Sequence, residues 1–279
     1  MGKKVLGTLL VIGGAEDKEG KCEILSEFVK LCGGGEAHLV VITTATLKPG
    51  QAGRQYSSLF RSLGAGVVEV LNLDSRAKAN NLQAGELIRK ASGLFFTGGD
   101  QLRLTSLLGG TAANESIRVA YRQGAVIAGT SAGASVMSNT MIVEGDSDEA
   151  AKLNTIKLAP GLGLLEEVVI DQHFAQRGRT GRLLSAIAHN PYILGMGIDE
   201  DTAVIISPDA KLKVIGSQTV TFLDGRDVSF TNVSELSPGQ ALAIGRVVLH
   251  ILPKGYGFDL ATRAPVIGEI KEGEENEDN

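Results

Sequence analysis

Residues 125–137 read AVIAGTSAGASVM. Ala125–Ala128 is a short apolar run, the pattern of a buried strand. Gly129-Thr130-Ser131-Ala132-Gly133 then spells G-x-S-x-G, followed by small or apolar residues that can open a helix. Strand, sharp turn and helix in that order form a nucleophile elbow, which lifts a serine hydroxyl above the end of a sheet on strained backbone. Glycines two before and two after Ser131 let strand and helix pass close together. The Ser131 hydroxyl then faces outward, and the Ala132 amide can receive a developing oxyanion. The pentapeptide by itself also fits a glycine-rich strand–helix turn with an incidental serine. The surrounding chain decides between the two.

Upstream of the elbow, Leu6–Ile12, His38–Thr43, Val67–Leu73 and Gly93–Thr97 are apolar strand candidates. Glu19–Leu31, Gln51–Leu63 and Ala77–Ala91 lie between them with helical spacing, and Gly33-Gly34-Gly35 ends the first of these. Such alternation predicts βαβ units, hence a doubly wound α/β half with a parallel sheet whose next strand carries the elbow. Downstream, Met141–Glu144 and Val168–Ile170 read as short strands, and Leu183–Ala188 as a helix that stops at Asn190-Pro191. Ile193–Ile198, Ala203–Ile206, Leu212–Ile215, Thr219–Leu223 and Val247–Leu252 follow with short turns, so they are expected to be largely antiparallel. They should extend or flank the central sheet within one α/β domain, residues 1–268. The last stretch, 269–279, is acidic and is expected to be disordered.

The chain has 279 residues, 43% hydrophobic and 21% charged, an ordinary globular composition with room for a substantial core. Aromatics are only 4% and tryptophan is absent, which disfavours stacking on nucleic acid. The formal charge is −5, and Lys271–Asn279 carries most of it with five acids against one lysine. The body is therefore nearly neutral, with no basic footprint for nucleic acid. Cys22 and Cys32 lack zinc-ligand spacing and read as half-buried free thiols, which fits a reducing cytoplasm. The start, MGKKVLGTLLVIGGA, has the lysines, apolar run and small residues of a signal peptide. The run is short and leads into a turn with charged residues, so it reads as the first strand. No stretch is long enough to cross a membrane.

Phe96-Thr97-Gly98-Gly99-Asp100-Gln101 ends a strand where open α/β sheets place ligands. Its glycines let backbone amides approach a substrate, the natural place for a second oxyanion donor. Asp100 is expected to cap a helix beginning at Gln101. Neither Gly13-Gly14 nor Gly33-Gly34-Gly35 completes G-x-G-x-x-G, and acids follow the first, so no dinucleotide cofactor is expected. No His/Asp/Glu cluster has ligand spacing either, and no metal is expected.

A serine nucleophile needs a general base and a group to orient it. The chain has four histidines. His38 begins a strand, His250 lies inside one, and His189 stands near a helix end, all ordinary structural places. His173 ends a strand among polar residues and precedes an arginine-rich loop, which makes it the first candidate, ahead of His189. The orienting acid should come from another strand end, and Gly197-Ile198-Asp199-Glu200-Asp201 offers three. The order Ser…His…acid differs from the Ser…Asp…His order of α/β-hydrolases and argues against a lipase or esterase.

Five stretches in order, GGAEDK (13–18), FTGGDQL (96–102), GTSAGAS (129–135), DQHFAQRGRTGR (171–182) and GIDEDT (197–202), closely resemble the cyanophycinase family of serine peptidases, which also contains aspartyl dipeptidase. The resemblance runs from Leu6 to about Ala264. It implies a class I glutamine amidotransferase-like fold with serine in place of the usual cysteine, and a triad of Ser131, His173 and Glu200. Family substrate-pocket positions fall on Gln101, Asp171, Gln172, Arg177, Arg179 and Arg182, while the geometry of the two glycine motifs assigns the oxyanion to the Gly99 and Ala132 amides. It implies cyanophycin polymer as substrate, no cofactor, and a cytoplasmic homodimer acting on neither nucleic acid nor membrane. Its arginines are expected to make two-pronged contacts to substrate carboxylates. The alternatives are a dipeptidase of the same family acting on aspartyl or isoaspartyl peptides, and a silent binding protein with this fold.

Overall fold

Strands that are apolar along their whole length must be covered on both faces, and the first half of the chain is built on that requirement. In the computed structural model, residues 7–145, 151–152, 156–237 and 239–267 are described. The chain runs β1 (Leu9–Ile12), α1 (Glu23–Leu31), β2 (His38–Ile42), α2 (Pro49–Ser62), β3 (Val67–Leu71), α3 (Arg76–Ala79), α4 (Leu82–Lys90), β4 (Gly93–Phe96), α5 (Gln101–Leu108), α6 (Ala112–Arg122), β5 (Val126–Thr130) and the short α7 (Ala132–Ser135). It continues with β6 (Thr140–Gly145), β7 (Ile156–Pro160), β8 (Val168–Gln172), α8 (Thr180–His189), β9 (Leu194–Ile198), β10 (Thr202–Ile206), β11 (Lys211–Gly216) and β12 (Thr219–Asp224). It closes with β13 (Phe230–Thr231), β14 (Ile244–Gly245), β15 (Val248–Pro253), β16 (Gly257–Asp259) and β17 (Ala264–Val266).

The principal sheet has the order β17-β16-β11-β10-β1-β5-β4-β2-β3. From β1 to β3 all pairs are parallel, while β10, β11, β16 and β17 continue the sheet antiparallel beyond β1. Strand alternation sorts the core into layers. Leu10, Ile12, Leu39, Val41 and Phe95 face one way and pack with Ile24, Phe28, Tyr56 and Phe60 of α1 and α2. Leu9, Val11, Val40, Ile42 and Phe96 face the other way, toward Ile88, Leu104, Ile117 and Tyr121 of α4 to α6. A second sheet, β15-β12-β9-β8, joins this side through Val168, Ile170, Met196 and Phe222, and its outer face is covered by α8. The downstream strands therefore do both things expected of them, β10 and β11 extending the central sheet and β9, β12 and β15 flanking it.

Some local readings are corrected. The helix expected over Ala77–Ala91 breaks into α3 and α4, because the Asn81 side chain accepts from the Gln83 and Ala84 amides and starts a new helix. The sequence patterns do not single out α6, β7, β13, β14, β16 or β17. Strand β5 continues to Thr130, up to the serine itself. The expected tail over 269–279 lies outside the described residues.

Candidate active site

The parallel strands end on one side of the sheet, and Ser131 stands at the end of β5 between the ends of β1 and β4. Its backbone has φ 53° and ψ −113°, a sparsely populated region for a residue with a side chain. The flanking glycines show why the turn is so tight. A Cβ on Gly133 would stand 2.8 Å from Phe96 Cβ and overlap the Phe96 carbonyl, and one on Gly129 would meet Met137 Cε at 2.8 Å. Gly98 runs beside the serine, since a Cβ there would lie 3.5 Å from Ser131 Cβ.

Strand β8 ends at Gln172, and His173 follows in left-handed backbone with φ 48°. That turn points the imidazole at the elbow. Ser131 Oγ lies 2.9 Å from His173 Nε2. The other ring nitrogen, Nδ1, is 2.6 Å from Glu200 Oε1. Three elements distant in sequence thus form one continuous hydrogen-bonded line. Burial lowers the His173 pKa, and the Arg177 and Arg179 cations lower it further, against the Glu200 hydrogen bond and charge that raise it. The net lowering favours the neutral ring, the form able to accept a proton.

The three neighbouring acids are directed to different places. Asp199 is buried and accepts from the Ala175 amide at 2.9 Å and the Thr219 hydroxyl at 2.8 Å. Asp201 accepts from the Asp17 amide at 2.9 Å. Only the Glu200 carboxylate of the three meets the imidazole. The other histidines are engaged elsewhere: His38 with Glu69 at 2.5 Å, His189 with the Ser185 carbonyl at 2.7 Å, and His250 against the Phe258 ring.

Asp100 caps α5, accepting from the amides of Leu102 at 2.8 Å and Arg103 at 3.2 Å. The amides of Thr97 and Asp100 are bonded to the carbonyls of Ile42 and Ala45. Between them the Gly98 and Gly99 amides, like that of Ala132 at the start of α7, have no intramolecular acceptor among the described residues. Gly99 has φ 146°, and a Cβ on it would stand 2.5 Å from the Ala45 carbonyl carbon. Gln101 turns its amide onto β6, donating to the carbonyls of Ile142 at 3.1 Å and Val143 at 3.0 Å.

The arginine-rich loop separates into two environments. Arg177 is exposed. Arg179 and Arg182 are buried on the wholly buried Asp171. Arg182 Nε donates to Asp171 Oδ2 at 2.7 Å while its Nη2 pairs with Oδ1, so the two-pronged contact expected toward a substrate is made by Arg182 inside the protein. Arg179 Nη1 reaches Asp171 Oδ1 at 3.3 Å, the Gln172 carbonyl, and Gln172 Oε1 at 3.2 Å. Its Nε is buried without a partner among the described residues. Burial, only partly offset by Asp171, lowers the Arg179 pKa to about 10. Sequence reasoning gives no role to Gly14, which lies against the His173 ring, to Thr130, which precedes the serine, or to Glu16, which is bonded to Thr130; the GGAEDK stretch is the one signal pointing to Gly14 and Glu16.

No group of three or more His, Cys, Asp or Glu side chains that could hold a metal ion occurs among the described residues, and no described helix is long and apolar enough to cross a membrane.

Comparison with known proteins adds the lineage. Residues 9–214 match the model of a family described as Peptidase family S51. The chain is 41% identical over 265 residues to a cyanophycinase of Geminocystis herdmanii (strain PCC 6308), covering 95% of this chain and 97% of that protein. It is also 41% identical over 257 residues to a cyanophycinase of Synechococcus elongatus, covering 92% and 80%. Among solved structures it resembles a peptidase from an acI-B1 Actinobacterium, with TM-score 0.67, 21% identity, and coverage of 92% of this chain and 98% of that one. A putative peptidase E protein from Listeria monocytogenes EGD-e superposes with TM-score 0.53 and 18% identity over 75% of this chain and 98% of that one. At such identities the structures speak for the fold, which is class I glutamine amidotransferase-like.

Proposed function

The chain belongs to peptidase family S51, and from that premise we propose that it is a serine-type exopeptidase that hydrolyses the poly-aspartate backbone of cyanophycin to β-aspartyl-arginine dipeptides. The observation that carries the chemistry is the unbroken line from Ser131 Oγ through His173 to Glu200, at 2.9 and 2.6 Å. The 41% identity to proteins named cyanophycinase supports the substrate.

In this reading Ser131 Oγ attacks a backbone carbonyl carbon of the polymer as its proton passes to His173 Nε2. Glu200 holds the Nδ1–H tautomer and stabilises the imidazolium. The Gly99 and Ala132 amides receive the oxyanion. His173 then gives the proton to the leaving amine, and the C–N bond breaks to leave an ester on Ser131. Water, deprotonated by His173, cleaves that ester and restores the serine.

Cyanophycin carries an arginine on each aspartate side chain, so each repeat presents a guanidinium and a free carboxylate. Arg177 and Arg179 meet the carboxylate, and Gln101 and Gln172 contribute amide contacts. Asp171 and Arg182 form the charged floor that keeps Arg179 in place. The same reading takes the protein to be a cytoplasmic homodimer, which sedimentation and cell fractionation check.

The test is incubation of the purified protein with cyanophycin, and in parallel with bare α-poly-aspartate, with mass analysis of soluble products. β-Aspartyl-arginine is expected from the first polymer alone. Bare poly-aspartate leaves the charged pocket unpaired, which such sites penalise by about 10⁴-fold or more. Ser131→Ala is expected to lose activity by about 10⁶-fold while still folding. No dipeptide release by the wild type, or wild-type turnover by folded Ser131→Ala, overturns the reading.

A further inference from the structure

The end of β1 and the loop that leaves it touch the backbone at or beside every member of the triad. The Ser131 amide donates to the Ile12 carbonyl at 3.1 Å, and the His173 amide to the Gly13 carbonyl at 2.8 Å. Around Glu200, the Gly13 amide donates to the Thr202 carbonyl and the Asp201 amide to the Gly14 carbonyl, both at 2.9 Å. The Asp17 amide adds a bond to Asp201 Oδ1 at 2.9 Å. Three segments from different strands are thus referenced to one loop.

At the centre of that loop is a charged group with no part in the proton relay. The Glu16 side chain is 1% exposed. Its Oε2 accepts from Thr130 Oγ1 at 2.5 Å and its Oε1 from the Tyr56 hydroxyl at 2.5 Å, with Lys18 Nζ at 3.0 Å. Tyr56 is fixed in turn by the Phe95 ring at 4.7 Å and the Phe60 ring at 5.9 Å. A buried carboxylate is tolerated only when fully bonded, and a fully bonded one is rigid. Thr130 immediately precedes Ser131, whose strained backbone persists only if its surroundings over-determine it.

We infer that Glu16 is a positioning residue for hydrolysis: its carboxylate pins Thr130, and the loop it heads keeps Ser131, His173 and Glu200 within reach of one another. The inference rests on the serine-peptidase reading above. Glutamine cannot replace the carboxylate, because both hydroxyls donate to it and an amide offers one acceptor oxygen and one NH₂.

The experiment compares wild type with Glu16→Gln, Thr130→Val and Thr130→Ser, measuring kcat, KM, melting temperature and the rate of labelling by a fluorophosphonate. Glu16→Gln and Thr130→Val are expected to lower kcat and the labelling rate by about 10- to 100-fold, the cost of a slightly misplaced nucleophile. KM should stay within about twofold, because ground-state binding is untouched. Thr130→Ser, which keeps the hydroxyl, should recover most of the loss. Should Glu16→Gln not fold, the near-isosteric Thr130→Val decides. Normal kcat per folded molecule in Thr130→Val, even with a lower melting temperature, overturns the inference, as does a change in KM alone. A wild type that neither takes the label nor releases dipeptide instead overturns the function from which the inference starts.

Discussion

Gly14 lies against the His173 imidazole: a Cβ on Gly14 would stand 2.5 Å from ring Nε2 and overlap Cε1. The backbone there has φ +106°, where side chains are rarely tolerated. Gly14→Ala should therefore push the ring away from Ser131. We expect a loss of kcat of about 10²-fold, since small misplacements of a reacting group have that effect. Steady-state kinetics check it, with circular dichroism to show that the sheet survives. Normal turnover by Gly14→Ala would mean that the ring can shift without consequence.

The pH profile should show the environment of His173. The base works when neutral, and burial with Arg177 and Arg179 lowers its pKa. Neutral imidazole then persists to lower pH, so the acid limb of kcat/KM should have its midpoint below the ordinary histidine value of about 6.5. Arg177→Gln removes a cation and should move the midpoint up. Glu200→Gln removes what favours the imidazolium and should move it down while lowering the rate. Midpoints that move the opposite way would refute the electrostatic account.

The acids of the β9–β10 turn should divide by phenotype. Glu200→Gln is expected to lower kcat with little change in melting temperature, because its carboxylate is bonded to the imidazole. Asp199→Asn should instead destabilise the fold by about 1.5–3 kcal/mol, the range for hydrogen bonds to a charged group, since it ties the segment after His173 to β12. Denaturant titration alongside kinetics separates them, and a reversed pattern would reassign the acid.

Asp171 and Arg182 form a buried pair beneath the site. Asp171→Asn leaves two cations without their counter-charge and should destabilise by about 3–5 kcal/mol. Arg179→Lys keeps a charge but not the planar fork, so it should raise KM for the polymer with a smaller effect on stability. Melting curves and KM values test both, and an unchanged KM in Arg179→Lys would remove that residue from the pocket.

Much of the architecture was legible in the sequence, for local reasons. The apolar runs separated by amphipathic segments identify parallel strands and covering helices, because a strand buried on both faces has no polar positions. The cap at Asp100 rests on contacts within a few residues, and the G-x-S-x-G turn is legible from its glycine spacing. A local signal also goes unread at Asn81, whose capping side chain divides one expected helix into two.

The sequence by itself determined the kind of chain this is: an α/β sheet with a strand–turn–helix elbow at Ser131, and a short list of histidines and acids that could serve it. Only the tertiary structure decided which of them meet. Asp199, Glu200 and Asp201 are adjacent in the chain yet point to Thr219, His173 and the Asp17 amide respectively. Their directions follow from the register of β8 on β9 and from the left-handed turn at Asp201 (φ 47°). Likewise the buried carboxylate of Glu16 finds Thr130 from 114 residues away. Nothing within a few residues of either position encodes such contacts, because the packing of strands distant in sequence brings them together.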